Sequence, residues 1–226
     1  MTIGILAALD RELEALTAEQ ERFAERGYVL RQCGVGKVNA ALAAYDLVVR
    51  GGARRVIVIG TCASLQPTLR QGRMMLASEA RYHDVDASAL GFSPGQIPYH
   101  GTCIWHADPE LTHALNRALN EVGDSPWTGC ILTGDRFVAS RRETSRLRET
   151  YAGSALDMET AAVAHACDQL GVGWASLRVV SDNADEDAAL DFETLIHTAS
   201  QRLARVILEI RAQDLITVPR VHASAL

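Results

Sequence analysis

The chain has 226 residues, 48% hydrophobic and 22% charged, with a formal net charge of −6. That composition suits one α/β domain spanning 1–226 and excludes a disordered chain. The acidic balance speaks against a nucleic-acid partner, because phosphate backbones reward basic patches, and no apolar run reaches the roughly 18 residues that would cross a bilayer.

Ile3 to Leu9 is predicted as a buried first strand. The N-terminus lacks the basic n-region of a signal peptide, so a cytoplasmic location is the default expectation. Arg11 to Arg26, rich in Glu, Ala and Leu, predicts a helix, and Tyr28 to Cys33 a short strand. Gly34-Val35-Gly36-Lys37 is a turn feeding a helix to about Arg50, closed by Gly51-Gly52. Arg55 to Ile59 is a β-branched strand, and the small residues Gly60 to Ser64 after it predict a turn with several exposed backbone N–H groups. Arg73 to Ala80 predicts a strand, and Ser88 to Gly101 a loop. Then come a helix over Pro109 to Val122, a strand over Thr128 to Thr133 and a helix over Arg141 to Tyr151. Ala155 to Asp157 is a strand, Met158 to Leu170 a helix, Gly173 to Ser181 a strand and Phe192 to Ala212 a helix. Residues 213–226 are expected to be a loose tail. Strands alternating with helices predict an α/β fold whose central mixed, mostly parallel sheet is flanked by helices.

Two acidic segments dominate the second half, Leu156-Asp157-Met158-Glu159-Thr160 and Val180-Ser181-Asp182-Asn183-Ala184-Asp185. The apolar run ending at Val180 delivers Asp182 to the C-terminal end of a strand, where open α/β sheets bind ligands. Glu159 stands at a helix start. Two carboxylates aimed into one crevice can divide the roles of acid and sugar-hydroxyl acceptor, because their surroundings can push their pKa values apart. Glu12 reads either as a helix N-terminal acid meeting the helix dipole or as a general base reaching over the crevice. Arg178, inside an apolar strand, demands a carboxylate or a polar ligand as partner. Gly34-Val35-Gly36-Lys37 is too short for a P-loop and lacks the third glycine of the dinucleotide fingerprint. Arg81 to Asp86 holds a single His with two Asp, a weak metal set. Asp182 to Asp187 lacks the glycine and the final carboxylate of a calcium loop. The five scattered cysteines contain no C-x-x-C pair and suggest neither a disulfide framework nor a structural zinc.

Taken in order, Ile3-Gly4-Ile5 with Glu12, Gly34 to Val38, Gly60-Thr61 with Pro67-Thr68-Leu69, Glu79 to Asp86, Gly95-Gln96-Ile97-Pro98, Thr133 to Phe137, Asp157-Met158-Glu159 and Arg178 to Asp182 form a specific combination. It resembles the nucleoside phosphorylase superfamily, and in it the hydrolytic 5′-methylthioadenosine/S-adenosylhomocysteine nucleosidases. The resemblance runs from Thr2 to about Ala212. It implies the three-layer phosphorylase/hydrolase-like fold and a small nucleoside as substrate, with no cofactor and no metal. It further implies that Asp182 is the acid at the departing adenine, Glu12 the base for water, and Glu159 the ribose-hydroxyl acceptor with Met158 under the sugar. Thr61 and Arg178 match positions that order the water, and Ser181 precedes the acid. Phe137 and Val138 match the adenine slot, and Leu9, Val35, Leu90 and Phe192 the apolar pocket for the 5′ substituent. A homodimer is implied as well, and the loop from Ser88 to His106 is the candidate contact.

This sequence departs from the family pattern in places. Thr61 stands where Ser is usual, Cys62-Ala63-Ser64 replaces a glycine pair, and Leu9 and Leu90 replace a common Met and Phe. The changed 5′ pocket keeps open a futalosine-type nucleoside as substrate. A phosphorylase of the same fold is the other enzymatic reading, opposed by the acids Asp10, Glu12 and Glu14 beside the water position, which would repel phosphate. A non-catalytic nucleoside binder would have no need of Glu12, Glu159 and Asp182 together.

Overall fold

The computed structural model describes residues 1–185, 188–210 and 215, without the side chains at 188–194 and 197. Eight strands form one mixed sheet: β1 (Ile3–Ala7), β2 (Tyr28–Gln32), β3 (Arg55–Ser64), β4 (Met74–Tyr82), β5 (Trp105–His106), β6 (Trp127–Thr133), β7 (Ala155–Asp157) and β8 (Gly173–Asp182). Pairings β1–β2, β1–β3, β3–β8, β4–β6 and β6–β7 are parallel, whereas β3–β7, β4–β5 and β4–β8 are antiparallel. The sheet is therefore mixed and mostly parallel, as the sequence predicts.

The pairings close on themselves. β3 pairs β8, β8 pairs β4, β4 pairs β6, β6 pairs β7, and β7 returns to β3. β3 can do this because it is long: Arg55 to Val58 pair β1, while Ala63 and Ser64 pair β7. Its residues and those of β8 are buried nearly throughout, which fits their β-branched and small apolar composition. β1, β2 and β5 extend outward from this ring.

Among the described residues seven helices cover the sheet: α1 (Asp10–Thr17), α2 (Gln20–Glu25), α3 (Lys37–Val49), α4 (Pro109–Glu121), α5 (Arg141–Tyr151), α6 (Thr160–Leu170) and α7 (Ala188–Glu209). Leu13, Leu16, Leu111, Leu115, Leu203 and Val206 put α1, α4 and α7 in one core with Ile3, Ile57 and Leu177. Ala40, Ala44, Leu47, Ala161 and Val163 put α3 and α6 in a second core with Val56, Val58 and Met75. The alternation along β3 of Ile57 and Ile59 with Val56 and Val58 feeds both cores, as a pleated strand must. Small residues on α3 and α6 let those helices approach closely. Asp108 caps α4 by accepting from the amides of Glu110 and Leu111 at 3.0 and 3.1 Å, with Pro109 in the first turn.

Three sequence expectations change. The helix expected over Arg11 to Arg26 is two helices, interrupted at Ala18 and Glu19, where neither Gly nor Pro marks a break. The turn expected at Gly60 to Ser64 is strand. Residues 60–63 remain paired with β8, with a register shift between Cys62 and Ala63, and their N–H groups are not presented as a free nest. Trp105–His106 adds a two-residue strand against Glu79 and Ala80. At the C-terminus Leu215 is buried against the first core, and the rest of the expected tail lies outside the described residues.

Candidate active site

Strand β1 ends at Ala7, and Glu12 is the third residue of the helix that follows. Its carboxylate turns back over the helix start, where Oε2 accepts from the amides of Ala8 and Leu9 at 3.2 and 3.1 Å. Oε1 accepts from the Thr61 amide at 2.8 Å and the Thr61 hydroxyl at 3.0 Å. Glu12 is thus both a helix N-terminal acid and a buried group aimed at β3. This approach needs Gly60: its φ is +143°, and a Cβ there would lie 2.5 Å from Glu12 Oε1 and 2.8 Å from Arg178 Nη1.

Asp182 closes β8 and is 2% exposed. Its Oδ2 accepts from the Ser181 hydroxyl at 2.6 Å and its Oδ1 from the Ala184 amide at 2.9 Å. Glu159 precedes the first residue of α6, so the helix N-terminus and β7 together fix its position. Its Oε1 accepts from the Gly36 amide at 3.0 Å. Burial pushes the Glu159 carboxyl up to about 7, helped by the Asp157 charge and opposed by Arg178 and the Gly36 amide. The Gly34 to Lys37 turn is therefore a donor to a carboxylate, held in place where the Lys37 amide donates to Asp135 at 2.8 Å and Lys37 Nζ pairs with Asp84 at 2.6 Å.

These three carboxylates share one cavity of about 270 Å³. Leu9 and Val35 line it beside Glu12. Thr61, with Cys62 and Ala63, comes from β3, and Met158 accompanies Glu159. Phe137 and Val138 come from the segment after β6, and Ser181 accompanies Asp182. Phe137 and Val35 are exposed at the rim, whereas Val138 is buried. The walls are mostly apolar with a few convergent polar groups, the usual character of a small-molecule site.

Two sequence-derived assignments, Leu90 and Arg178, differ from this picture, and a third is not described. Leu90 sits on a 3₁₀ turn at Ser88–Leu90, is 72% exposed and does not line the cavity of this chain. The side chain of Phe192 lies outside the described residues. Arg178 is beneath the cavity floor rather than on its wall. It is fully buried, its Nη2 lies 2.5 Å from Asp157 Oδ2, and its Nε donates to Ser176 at 3.2 Å. Burial works against its charge, but the facing Asp157, Glu159 and Glu12 outweigh it and hold the guanidinium protonated. Two charged cavity residues were not singled out from the sequence, Asp157 and Arg136. Asp157 was legible only as a neighbour of Glu159, and Arg136 carried no signal beyond its place before Phe137. Among the described residues no group of three or more His, Cys, Asp or Glu is arranged to hold a metal ion, and no helix is long and apolar enough to cross a membrane.

Comparison with known proteins agrees with this geometry. The family model described as the phosphorylase superfamily matches residues 2–212. The chain belongs to the phosphorylase superfamily. Within that superfamily it is 31% identical to a 5′-methylthioadenosine/S-adenosylhomocysteine nucleosidase of Shewanella oneidensis, over 92% of this chain and 95% of that one. A nucleosidase of the same name from Neisseria meningitidis, solved with methylthio-immucillin-A, superposes with a TM-score of 0.85 at 32% identity, covering 92% of this chain and 97% of that one. A futalosine hydrolase mutant from Helicobacter pylori reaches the same TM-score of 0.85 at 26% identity, covering 92% and 97%. The superfamily fold expected from the sequence is the fold of this chain.

Proposed function

We propose that this phosphorylase-superfamily chain is a hydrolase that cleaves the N-glycosidic bond of 5′-methylthioadenosine and S-adenosylhomocysteine, releasing adenine and the 5-thioribose product. The observation that carries the reading is the meeting of Glu12, Glu159 and Asp182 in one mostly apolar cavity, each carboxylate on a different strand-to-helix junction. The named relatives support the choice of substrate.

The chemistry requires three things. Adenine leaves poorly as an anion, so a proton must reach the base, and Asp182 is the acid. Its bonds from Ser181 and Ala184 fix its direction. Water must lose a proton as it attacks the sugar carbon, and Glu12 is the base. The transition state carries positive charge on the ribosyl group, and Glu159, as acceptor for the sugar hydroxyls, contributes a fixed negative charge close to it. Val138 and Phe137 form the base slot, and Met158 packs under the sugar. Leu9 and Val35 meet the 5′ substituent.

Phosphorolysis is disfavoured by the same cavity. Among the described residues its charged lining groups are Glu12, Asp157, Glu159 and Asp182, against a single cation, Arg136, which is itself 3.6 Å from Glu143. A phosphate beside Glu12 would meet the repulsion of its carboxylate, and the nearby Arg178 is already engaged by Asp157. A futalosine-type substrate is the second reading. It is favoured by the Leu9 change and by the likeness to the Helicobacter pylori hydrolase, and the 5′ pocket decides between the two.

The assembly is read as a homodimer. On α3 the apolar side chains Val38, Leu42, Tyr45 and Val49 are 71, 64, 50 and 53% exposed. Their spacing puts them on one helix face, a stripe of a size that monomers rarely leave in water. The cytoplasm remains the location in this reading.

Adenine release from 5′-methylthioadenosine, measured without and with added phosphate, tests the proposal. Release without phosphate is expected. Release only with phosphate would make the chain a phosphorylase, and release from futalosine-type substrates alone would move the specificity to the second reading.

A further inference from the structure

Asp157 accepts from five donors at the site. Its Oδ1 accepts from the Thr133 hydroxyl at 2.6 Å and the Glu159 amide at 3.3 Å. Its Oδ2 accepts from the Thr160 amide at 3.0 Å, the Thr160 hydroxyl, and Arg178 Nη2 at 2.5 Å. The same Nη2 stands 3.9 Å from Glu159 Oε2. One guanidinium nitrogen is therefore shared unequally between two buried carboxylates. The rest of the guanidinium is held in place: Nε donates to Ser176 at 3.2 Å, and Nη1 points at the carbonyls of Ile59 and Thr61 at 3.5 and 3.4 Å.

The inequality matters for the sugar. A carboxylate that binds a diol accepts one hydroxyl proton on each oxygen, and a charge-assisted bond from an arginine would occupy one of those positions. We propose that Asp157 is a positioning residue that captures Arg178 Nη2 and so keeps the Glu159 carboxylate clear of the guanidinium and available to the ribose hydroxyls. The identity of the diol rests on the nucleosidase reading above; the competition between the two carboxylates does not.

Removing the Asp157 charge leaves Arg178 buried with Glu159 as its nearest remaining carboxylate, a strong pull because an unpaired buried charge is costly. The groups that face Glu159 are Asp157 on β7, Arg178 on β8, Glu12 on α1, the Gly36 amide, and the Cys33 thiol just after β2. Loss of Asp157 and closer approach of Arg178 act on Glu159 in the same direction, favouring its ionised form at lower pH.

The test is Asp157→Asn, which keeps volume and removes charge. Its crystal structure is expected to show Arg178 Nη2 at ion-pair distance, about 3 Å, from Glu159. KM for 5′-methylthioadenosine is expected to rise roughly 10–100-fold with a smaller change in kcat, reflecting a lost charged acceptor. Burial raises the Glu159 carboxyl to about 7, so an acid limb of kcat/KM that reports its ionisation is expected in wild type and is expected to move to lower pH in the variant. Asp157→Glu, which returns the charge, is expected to restore the limb and much of KM. An Arg178 that stays away from Glu159 in Asp157→Asn, or a limb that does not move, would overturn the proposal. Should Asp157→Asn fail to fold, Asp157→Glu decides: Nη2 bound to the longer carboxylate supports capture, and Nη2 turned to Glu159 despite it refutes capture. If the wild-type chain releases no adenine, the nucleosidase reading fails, while the crystallographic comparison still decides the role of Asp157.

Discussion

Glu12 and Thr61 are bonded twice, the Thr61 amide and hydroxyl both donating to the same carboxylate oxygen at 2.8 and 3.0 Å. The other oxygen faces two more amides, so donors surround the whole carboxylate. Only the hydroxyl among them can rotate away, and doing so would free a lone pair of Glu12. Thr61 thus offers Glu12 a hydroxyl as well as an amide.

Glu12→Gln is expected to lower kcat by about 10²–10⁴-fold, the usual contribution of a positioned base, while adenine still binds. The amide NH₂, on either side, would confront at least one backbone N–H. Stability should therefore fall by about 1–3 kcal/mol, the cost of an unsatisfied buried donor. Steady-state rates, calorimetry with adenine and urea denaturation check the three parts. A rate within threefold of wild type, about 0.7 kcal/mol, would remove Glu12 from the mechanism.

Asp182→Asn separates chemistry from architecture. The amide oxygen can keep the Ala184 bond, and the Ser181 hydroxyl can rotate to accept from the new NH₂. Denaturation midpoints should hardly move, but adenine release should drop by about 10²–10⁴-fold, because an amide cannot hand a proton to the leaving base. Parallel melting curves and turnover assays would show whether the two effects separate.

Gly60→Ala should harm both. Its Cβ would enter the space between Glu12 Oε1 and Arg178 Nη1, from a backbone conformation that costs a non-glycine residue about 1–3 kcal/mol. A lower melting temperature together with a kcat loss is expected. Wild-type behaviour in both would mean that Glu12 does not need its close approach to β3.

Glu159 carries a price in stability. Its carboxyl is raised to about 7 in the folded chain from an ordinary 4.5. The neutral form is thus favoured by folding: the stabilisation is full below about 4.5 and lost as pH climbs through about 7. The loss is at most on the order of 3 kcal/mol. Glu159→Gln does not titrate and can keep the Gly36 bond. Relative to wild type it should gain stability between pH 5 and pH 8 while losing substrate affinity. Denaturation at the two pH values measures this, and a constant difference would contradict it.

Leu42→Glu on the exposed face of α3 should leave the fold intact and convert a dimer to monomers, since a charge in an apolar contact must be desolvated. Light scattering at matched concentrations reads this directly. A wild-type chain that is already monomeric would refute the assembly.

How much of this was legible beforehand follows from the kind of signal involved. The strands at Arg55 and Gly173 were readable as dense apolar runs, and α5 and β7 fall where the pattern put them. The continuation of β3 through Gly60 to Ser64 was hidden because small residues read as a turn, while tertiary pairing with β8 and β7 overrides that local preference. The break between α1 and α2 has no local marker. At the site, Asp182 and Glu159 were legible from a strand end and a helix start and Glu12 from its place after the first strand, while their separate roles came only from the order of motifs. Arg178 was legible as a buried cation needing a partner, but the choice of Asp157 over the ligand depends on distances of a few ångströms between separate strands.

The closed ring of β3, β8, β4, β6 and β7 also divides the cavity by how readily its parts can open. Asp182, Glu159 and Thr61 ride on or directly follow strands hydrogen-bonded on both sides, and such backbone exchanges with solvent only in large unfolding events. The Gly34 to Lys37 turn instead follows β2, which among the described residues pairs with β1 alone. The amide that Gly36 gives to Glu159 therefore hangs from the edge strand of the sheet, tied otherwise through Lys37 to Asp135 and Asp84. In deuterium exchange, one wall should open in a shallow local fluctuation while the opposite wall keeps its protection, leaving Asp182 and the Glu12–Thr61 pair assembled as that edge opens.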